Sequence, residues 1–313
     1  MTKICSSLRR IARLSTIVPL AAMVLSASAA SAQSPLGSAQ SFAVLGASTV
    51  TNTGATIITG DVGVSPGTAI TGFLPPPANV IEGPGTVTFL DPGGLVDGTI
   101  RPGGDVSAQA HVDAVLAYAR LKGLECRPSN NLSGQVLGTA VLSLDPGVYC
   151  FDSSAQLTGT LYLTGNGPWI FQIKSTLTTA SNSAVVVVDA GQNCSGSNVF
   201  WQVGSSATLG TDTHFVGNIL ALASVTVTTG VSVSGSVMAL TAAVTMDTNA
   251  ISVCSPGPGG GFPPEMDKCG EHHDKDGDHD DKDKKGKDKD RDKDHKDNDR
   301  KDKDRESQDK KRG

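Results

Sequence analysis

The chain is short of cations where a folded domain would have to carry them. Its 313 residues hold 26 Lys and Arg, but 4 lie in the first 32 residues and 17 lie from Asp267 onward. Residues 33–254 keep five: Arg101, Arg120, Lys122, Arg127 and Lys174. The same stretch has 12 Asp and Glu, so its formal charge is −7. So few cations cannot neutralise many phosphates, which argues against nucleic acid or an anionic membrane as partners of this region. Histidine is equally scarce, with only His111 and His214 in this stretch. A satisfied or solvated surface imidazole is the better reading of each. The pattern G-x-S-x-G occurs once, as Gly63-Val64-Ser65-Pro66-Gly67, but its Ser-Pro-Gly reads as a turn and only two His are available to serve a nucleophile, so a serine hydrolase has little to rest on. A polysaccharide lyase needs a base beside acids that hold a cation. Here Arg101 and Lys174 are the only cations in the β-rich part, and Asp sits singly at turns such as Asp145-Pro146-Gly147, where it is simply a good turn former. No enzyme, catalytic residue, metal site or cofactor is expected.

Long apolar runs are missing too. Leu14 to Leu25 is the longest candidate, and it is shorter than the roughly 20 residues a membrane span needs. Lys3, Arg9, Arg10 and Arg13 precede it, and Ala30-Ser31-Ala32 follows. That order reads as a secretory signal over residues 1–32, so a secreted protein without membrane insertion is expected. No Cys pair has C-x-x-C spacing, which weakens a zinc or thioredoxin reading. Export favours disulfides among Cys126, Cys150, Cys194 and Cys254. We pair Cys126 with Cys150 and Cys194 with Cys254, although spacing alone does not fix connectivity. Cys269 is left over.

What is present is β-structure. Residues 33–254 alternate short β-branched runs, such as Val185 to Val188 and Val225-Thr226-Val227, with Gly, Asn, Asp and Pro turns. Many short strands of this kind make an all-β domain. An imperfect repeat chooses between a sandwich and a solenoid. Ala207 to Thr211 matches Val225 to Thr229 at an offset of 18, and Ala223 to Thr226 matches Ala242 to Thr245 at 19. Lys174 to Thr178 matches Gly204 to Thr208 at 30, the excess fitting a loop over Asp189 to Asn198. A period of 18–19 residues suits one solenoid coil of three short strands, and is too short for a propeller blade or helical repeat.

One segment breaks the pattern. Asp105 to Lys122 has no Gly or Pro, and Val112, Val115, Leu116 and Ala119 recur at helical spacing. The spacing predicts an amphipathic helix, started by Asp105 and ended by Gly123, with that stripe against a solenoid side. Beyond Cys254, residues 255–266 form a Gly/Pro linker. Residues 267–313 hold 18 Asp/Glu and 17 Lys/Arg with no aliphatic residue, which predicts a disordered polyampholyte. The tail segment Asp274 to Asp280 has Gly at its fourth position and Lys285 at the twelfth, where a calcium loop wants Gly sixth and Glu twelfth.

Threonine marks the repeat. Thr53-Gly54-Ala55-Thr56, Thr158-Gly159-Thr160, Thr179-Ala180-Ser181-Asn182 and Thr229-Gly230-Val231-Ser232 share one form; Thr211-Asp212-Thr213 and Thr248-Asn249-Ala250 vary it. In stacked coils such residues make a flat grid of methyls and hydroxyls, suited to a flat, repetitive target. Thr is also simply a good strand residue.

Leu36-Gly37-Ser38-Ala39-Gln40-Ser41-Phe42-Ala43-Val44-Leu45-Gly46, followed by Thr51-Asn52-Thr53-Gly54, resembles the opening of the microbial ice-binding protein family. So do Leu144-Asp145-Pro146-Gly147-Val148-Tyr149, Trp169-Ile170-Phe171-Gln172-Ile173, Val199-Phe200-Trp201-Gln202-Val203 and Phe215-Val216-Gly217-Asn218-Ile219, in order along the chain. The resemblance implies a discontinuous right-handed β-solenoid of triangular cross-section with one long helix alongside, and N-terminal coils next to C-terminal ones. It also implies an ice crystal surface as partner, met through Thr-Ala/Gly-x-Thr/Asn segments. Carried over residue by residue, only 53–56 and 179–182 fit that pattern in full, and 229–232 fits with Ser at the end. Together with the other repeat-equivalent positions, the expected face is Thr53, Thr56, Thr158, Thr160, Thr179, Asn182, Thr211, Thr213, Thr229, Ser232 and Thr248. Asp212, His214 and Ile251 depart from the pattern. A monomer is expected. The other reading is a surface or matrix adhesion module, with the charged tail in loose contact with an envelope. Its glycan platforms would be Trp169 and Trp201, which sit inside apolar runs and read better as core.

Overall fold

The computed structural model describes residues 35–188 and 196–253. These residues wind through three parallel sheets and one helix. Each regular coil contributes one short strand to each sheet. The first coil supplies Phe42–Gly46 to sheet A, Thr49–Thr53 to sheet B and Ile57–Thr59 to sheet C. Sheets A and B have nine strands each and sheet C has eight. Every strand pairing among the described residues is parallel, as expected when successive coils run in the same direction.

The repeat offsets read from sequence are the registers of sheet B. Ala207 lies beside Val225, Val225 beside Val244, and Leu177 beside Ala207. The stack is discontinuous in sequence. Chain order runs from the first coil toward one end, through the helix, and restarts at the other end with Val136–Leu137. Successive coils then return until the last one, Val237–Ala239, Val244–Asp247 and Ala250–Ser252, docks against the first. Coils from the two ends of the described chain are therefore neighbours.

The interior explains the alternation. In Ala155–Leu157, Ala207–Leu209 and Val225–Val227 the outer two residues are buried and the middle one is turned out, the period-2 pattern of a strand with one wet face. The core adds an aromatic stack. Tyr149, Phe171 and Trp201 occupy one register of sheet A. The Phe171 and Trp201 rings lie 3.8 Å apart at 8°, and Phe215 joins Trp201 at 5.0 Å. Trp201 Nε1 donates to the Val216 carbonyl, and Trp169 Nε1 to that of Leu144. Both indoles are buried, so neither forms an exposed platform.

Helix α1 spans Asp105–Lys122 and lies on sheet A. Two details differ from the sequence reading. Gly104, with φ 90°, is the N-cap, and Asp105 is the first helical residue, where its charge favours the helix dipole instead of capping it. The buried face is Ser107, Ala110, Ala114, Ala117, Tyr118 and Leu121, while Val112, Val115, Leu116 and Ala119 face outward. Volume decides the matter. Sheet A presents Phe42, Leu45, Ile170, Phe200, Leu220 and Met238 toward the helix. A face of alanines lets the helix approach and fill the gaps between such bulky side chains, whereas a Val/Leu face would overpack them.

A disulfide joins Cys126 to Cys150. It ties the segment leaving α1 to the Gly147–Phe151 strand of sheet A. Cys194, Cys254 and Cys269 lie outside the described residues, as do the leader, linker and charged tail.

Candidate functional site

Sheet B carries the most regular surface. The outward residue at the centre of its successive strands is Gln156, Thr178, Thr208, Thr226, Thr245, Thr51, Thr71 and Thr88, each in register with the next. Seven threonines thus form one unbroken ladder. They come from strands Leu177–Thr179, Ala207–Leu209, Val225–Val227, Val244–Asp247, Thr49–Thr53, Ala69–Phe73 and Thr86–Phe89. Six of the seven stand between buried neighbours such as Val225 and Val227, so core burial on both sides fixes which way they point, while Thr88 at the end of the ladder lies between half-buried Val87 and exposed Phe89.

A second column runs beside the first. Thr49, Ala69 and Thr86 are in register, and on the far side Ser206 and Ser224 lie one coil apart. Thr176 Oγ1 donates to Ser154 Oγ at 2.8 Å, and Ser224 Oγ to Ser206 Oγ at 3.0 Å. Ladder hydroxyls differ from these. None of the seven has a side-chain hydrogen bond to another described residue, and all are partly or fully exposed, so their donors and acceptors are open to water. Coils repeat about every 4.8 Å, and same-side residues along a strand are about 6.7 Å apart. Thr is stiff at χ1, so the methyl and hydroxyl of each rung are held rather than floppy. The ladder carries no charge. A surface of this kind has no cavity to enclose a small ligand, but it can template a flat, periodic array.

The threonines singled out from sequence mostly lie elsewhere. They form the corner where each coil passes from sheet B to sheet C. Thr56, Thr179 and Thr213 are only 0%, 3% and 0% exposed and cannot meet a ligand. Their hydroxyls tie the corner together. Thr56 Oγ1 accepts from the Asn249 amide, and Thr179 Oγ1 accepts from the Gly210 amide while bonding Thr213 Oγ1 at 2.9 Å. Asn182, Asp212 and Thr248 adopt φ of 57°, 55° and 51° there, and Gly54 and Gly230 have φ of 74° and 75°. The corner needs a left-handed residue, and Gly, Asn and Asp supply it with least strain. The Thr-Gly/Asn/Asp recurrence is therefore first a turn signature.

Of the remaining expected residues, Thr53, Asn182, Thr211, Thr229 and Thr248 are exposed, and Thr158, Thr160 and Ser232 are half-buried. Thr160 and Ser232 belong to sheet C. Asp247 stands in register with Thr53 at the rim of sheet B and accepts from the hydroxyls of Thr229 and Thr248. His111 Nε2 bonds the Leu240 carbonyl at 2.9 Å, and His214 Nδ1 bonds Ser232 Oγ at 2.7 Å, so both imidazoles have the satisfied surroundings expected of them. Arg101 pairs with Glu82 at 2.7 Å and Lys174 with Asp152 at 2.6 Å. Among the described residues no cluster of His, Cys, Asp or Glu is arranged to hold a metal.

The ladder itself was readable. An apolar-Thr-x triplet recurs at Leu177-Thr178, Ala207-Thr208, Val225-Thr226, Val244-Thr245, Val50-Thr51, Ile70-Thr71 and Val87-Thr88. Strict period-2 alternation puts the Thr of each outward.

Comparison with known proteins agrees with this architecture. Residues 44–252 match the family model described as ice-binding-like. The chain is 49% identical over 249 residues to an ice-binding protein of Nostoc sp. (strain HG1), covering 78% of this chain and 82% of that one. It is 30% identical over 220 residues to an ice-binding protein of Flavobacterium frigoris, covering 70% and 75%. Among solved structures, an ice-binding protein from an Antarctic biological consortium superimposes with a TM-score of 0.58 at 36% identity, covering 69% of this chain and 89% of that one. An antifreeze-active ice-binding protein from an Arctic yeast gives a TM-score of 0.58 at 29% identity, covering 72% and 96%. The chain belongs to the ice-binding-like family.

Proposed function

We propose that this protein binds ice through sheet B, and that the seven-threonine ladder is the centre of the contact. The observation that carries this reading is the unbroken register from Thr178 to Thr88, with hydroxyls free of partners among the described residues. Hydroxyls hydrogen-bond the first water layer, and methyls fill the gaps between them. A rigid β-branched rung holds both in place, so water over the sheet is ordered before it meets the crystal. An adsorbed molecule pins the advancing front, which slows recrystallisation and depresses freezing. No bond is made or broken, in keeping with a non-enzymatic role.

Three further readings accompany this one. The three sheets form the sides of a right-handed solenoid of triangular section, since each regular coil gives one strand to each sheet. Residues 1–32 direct secretion, with a cleavable leader ahead of the domain. Exposed Thr53 and Thr229 extend the contact toward the corner. Ice-recrystallisation inhibition by the purified chain, against Thr226→Tyr, tests the proposal. Loss of inhibition in a folded Thr226→Tyr protein supports the face, and equal inhibition by both proteins removes sheet B from contention.

A further inference from the structure

Helix α1 has two apolar sides and only one sheet. Its alanine face is filled by sheet A, yet Val112, Val115 and Leu116 remain 50%, 40% and 47% exposed on the side turned away from it. Ala108 and Ala119, also exposed, extend the same stripe. Single exposed apolar residues are normal on a protein surface. A stripe at helical spacing, opposite a face already packed, calls for a partner.

Charge selects the partner. Residues 33–254 carry a formal −7, so two copies repel over most of their surfaces. The helix escapes this repulsion. Its charges are Asp105, Asp113, Arg120 and Lys122, a formal total of zero. Asp113 is taken up internally, accepting from the Ser38 amide at 2.8 Å, the Ser38 hydroxyl at 2.6 Å and Gln109 Nε2 at 3.0 Å. What remains is an acidic first turn, Asp105, and a basic last turn, Arg120 and Lys122. A surface with one sign at each end is complementary to itself when reversed.

We propose that the outward face of α1 is a self-association surface, on which a second copy of this chain packs its own α1 antiparallel. One two-fold axis crossing the helix between Asp113 and Ala114 sets Val112 against Val115, Ala108 against Ala119 and Asp105 against Lys122. The three pairings share that axis, as an isologous contact requires. Opposite helix-dipole ends also meet, which favours the antiparallel sense. The stripe lies over sheet A, so sheet B stays uncovered in the pair. An 18-residue helix is about 27 Å long at 1.5 Å per residue. A contact of that length lies at the small end of specific interfaces, so a dissociation constant on the order of 10 µM is expected.

Sedimentation equilibrium of the whole chain, across the micromolar range and at low salt, tests this. The expected result is a mass that rises from one copy to two with concentration. Val112→Glu, with unchanged circular dichroism, stays at one copy. Asp105→Lys weakens association roughly tenfold, and Asp105→Lys combined with Lys122→Asp restores it, because each reversal changes two symmetric ion pairs. A single-copy mass for the parent at every concentration overturns the proposal. So does a dimer that survives Val112→Glu, and failure of the double reversal overturns the antiparallel pairing. The readout is mass alone, so it stands apart from any ice measurement.

Discussion

Thr245 of the last coil lies in register beside Thr51 of the first. The two residues are 194 positions apart in sequence, yet they are adjacent rungs of one ladder. The Thr178–Thr245 half of the ladder comes from coils after the helix and the Thr51–Thr88 half from coils before it. The longest uniform surface of the protein therefore exists only once both parts of the chain have docked.

That junction separates two roles for threonine. Thr51→Tyr puts a bulky ring in the middle of the ladder, at a partly exposed position with no side-chain bond to lose. The expected outcome is a loss of at least about tenfold in recrystallisation inhibition with little change in melting temperature, since surface substitutions usually stay within about 0.5 kcal/mol. Thr56→Val acts the other way. It leaves the buried Asn249 amide without its acceptor, at a cost of about 1–3 kcal/mol. Inhibition per folded molecule is expected to be unchanged. Paired urea melts and ice assays on the two variants separate the corner from the face; equal loss of inhibition in both would undo the distinction.

These two sites also mark what could be read from the chain. Helix bounds and repeat offsets were legible, because each depends on local spacing: no breaker from Asp105 to Lys122, and offsets of 18, 19 and 30 that are the sheet B registers. The meeting of first and last coils does not depend on local spacing and was implied by the family resemblance. The helix face was not. Periodicity finds the larger apolar stripe, but sheet A supplies the large side chains, and only small ones fit between them. The ladder was missed for a different reason. Thr-Gly pairs stand out by eye, but their glycines answer to the φ of a corner. A lone Thr between two core residues is plainer text and the better surface signal.

The aromatic stack holds the end of the solenoid farthest from the first coil. Trp201 is fully buried, stacked on Phe171, and its indole N–H is satisfied by the Val216 carbonyl. Trp201→Ala removes that ring and leaves a cavity in a core that cannot collapse freely across stacked strands. A loss of about 3–5 kcal/mol in urea denaturation is expected. A loss below about 1 kcal/mol would mean that the interior is far softer than its register implies.

Cys126 and Cys150 close a segment with a sequence separation of 24 residues. Chain-entropy arguments put the stabilisation from such a loop at about 3 kcal/mol. Cys126→Ser with Cys150→Ser is therefore expected to lower stability by about 2–4 kcal/mol. The loop carries the end strand of sheet B, Val136–Leu137, but the threonine ladder begins two strands further in at Thr178, so inhibition by the protein that remains folded should persist. Thermal melting and recrystallisation assays on one preparation check both halves of the statement.

Acid provides a local test of the same end of the molecule. The Lys174 ammonium bonded to Asp152, with a further bond from the Asn131 amide, the Lys174 charge and the Ser133 hydroxyl, holds the Asp152 carboxyl down at about 2 against an ordinary 3.8. A carboxylate depressed in the folded state contributes stability above its unfolded value, and that contribution is lost as pH falls through the folded one. The window therefore runs from about 4 down to about 2, and pH above 5 leaves this group unchanged. The group is fully exposed, so salt weakens the effect. Carboxyl-resolved NMR titration should place the Asp152 midpoint near 2, and Lys174→Met should move it upward toward 3.8. A midpoint that Lys174→Met leaves in place would mean that the Asn131 and Ser133 bonds alone set it, and that the ion pair at 2.6 Å has no electrostatic consequence.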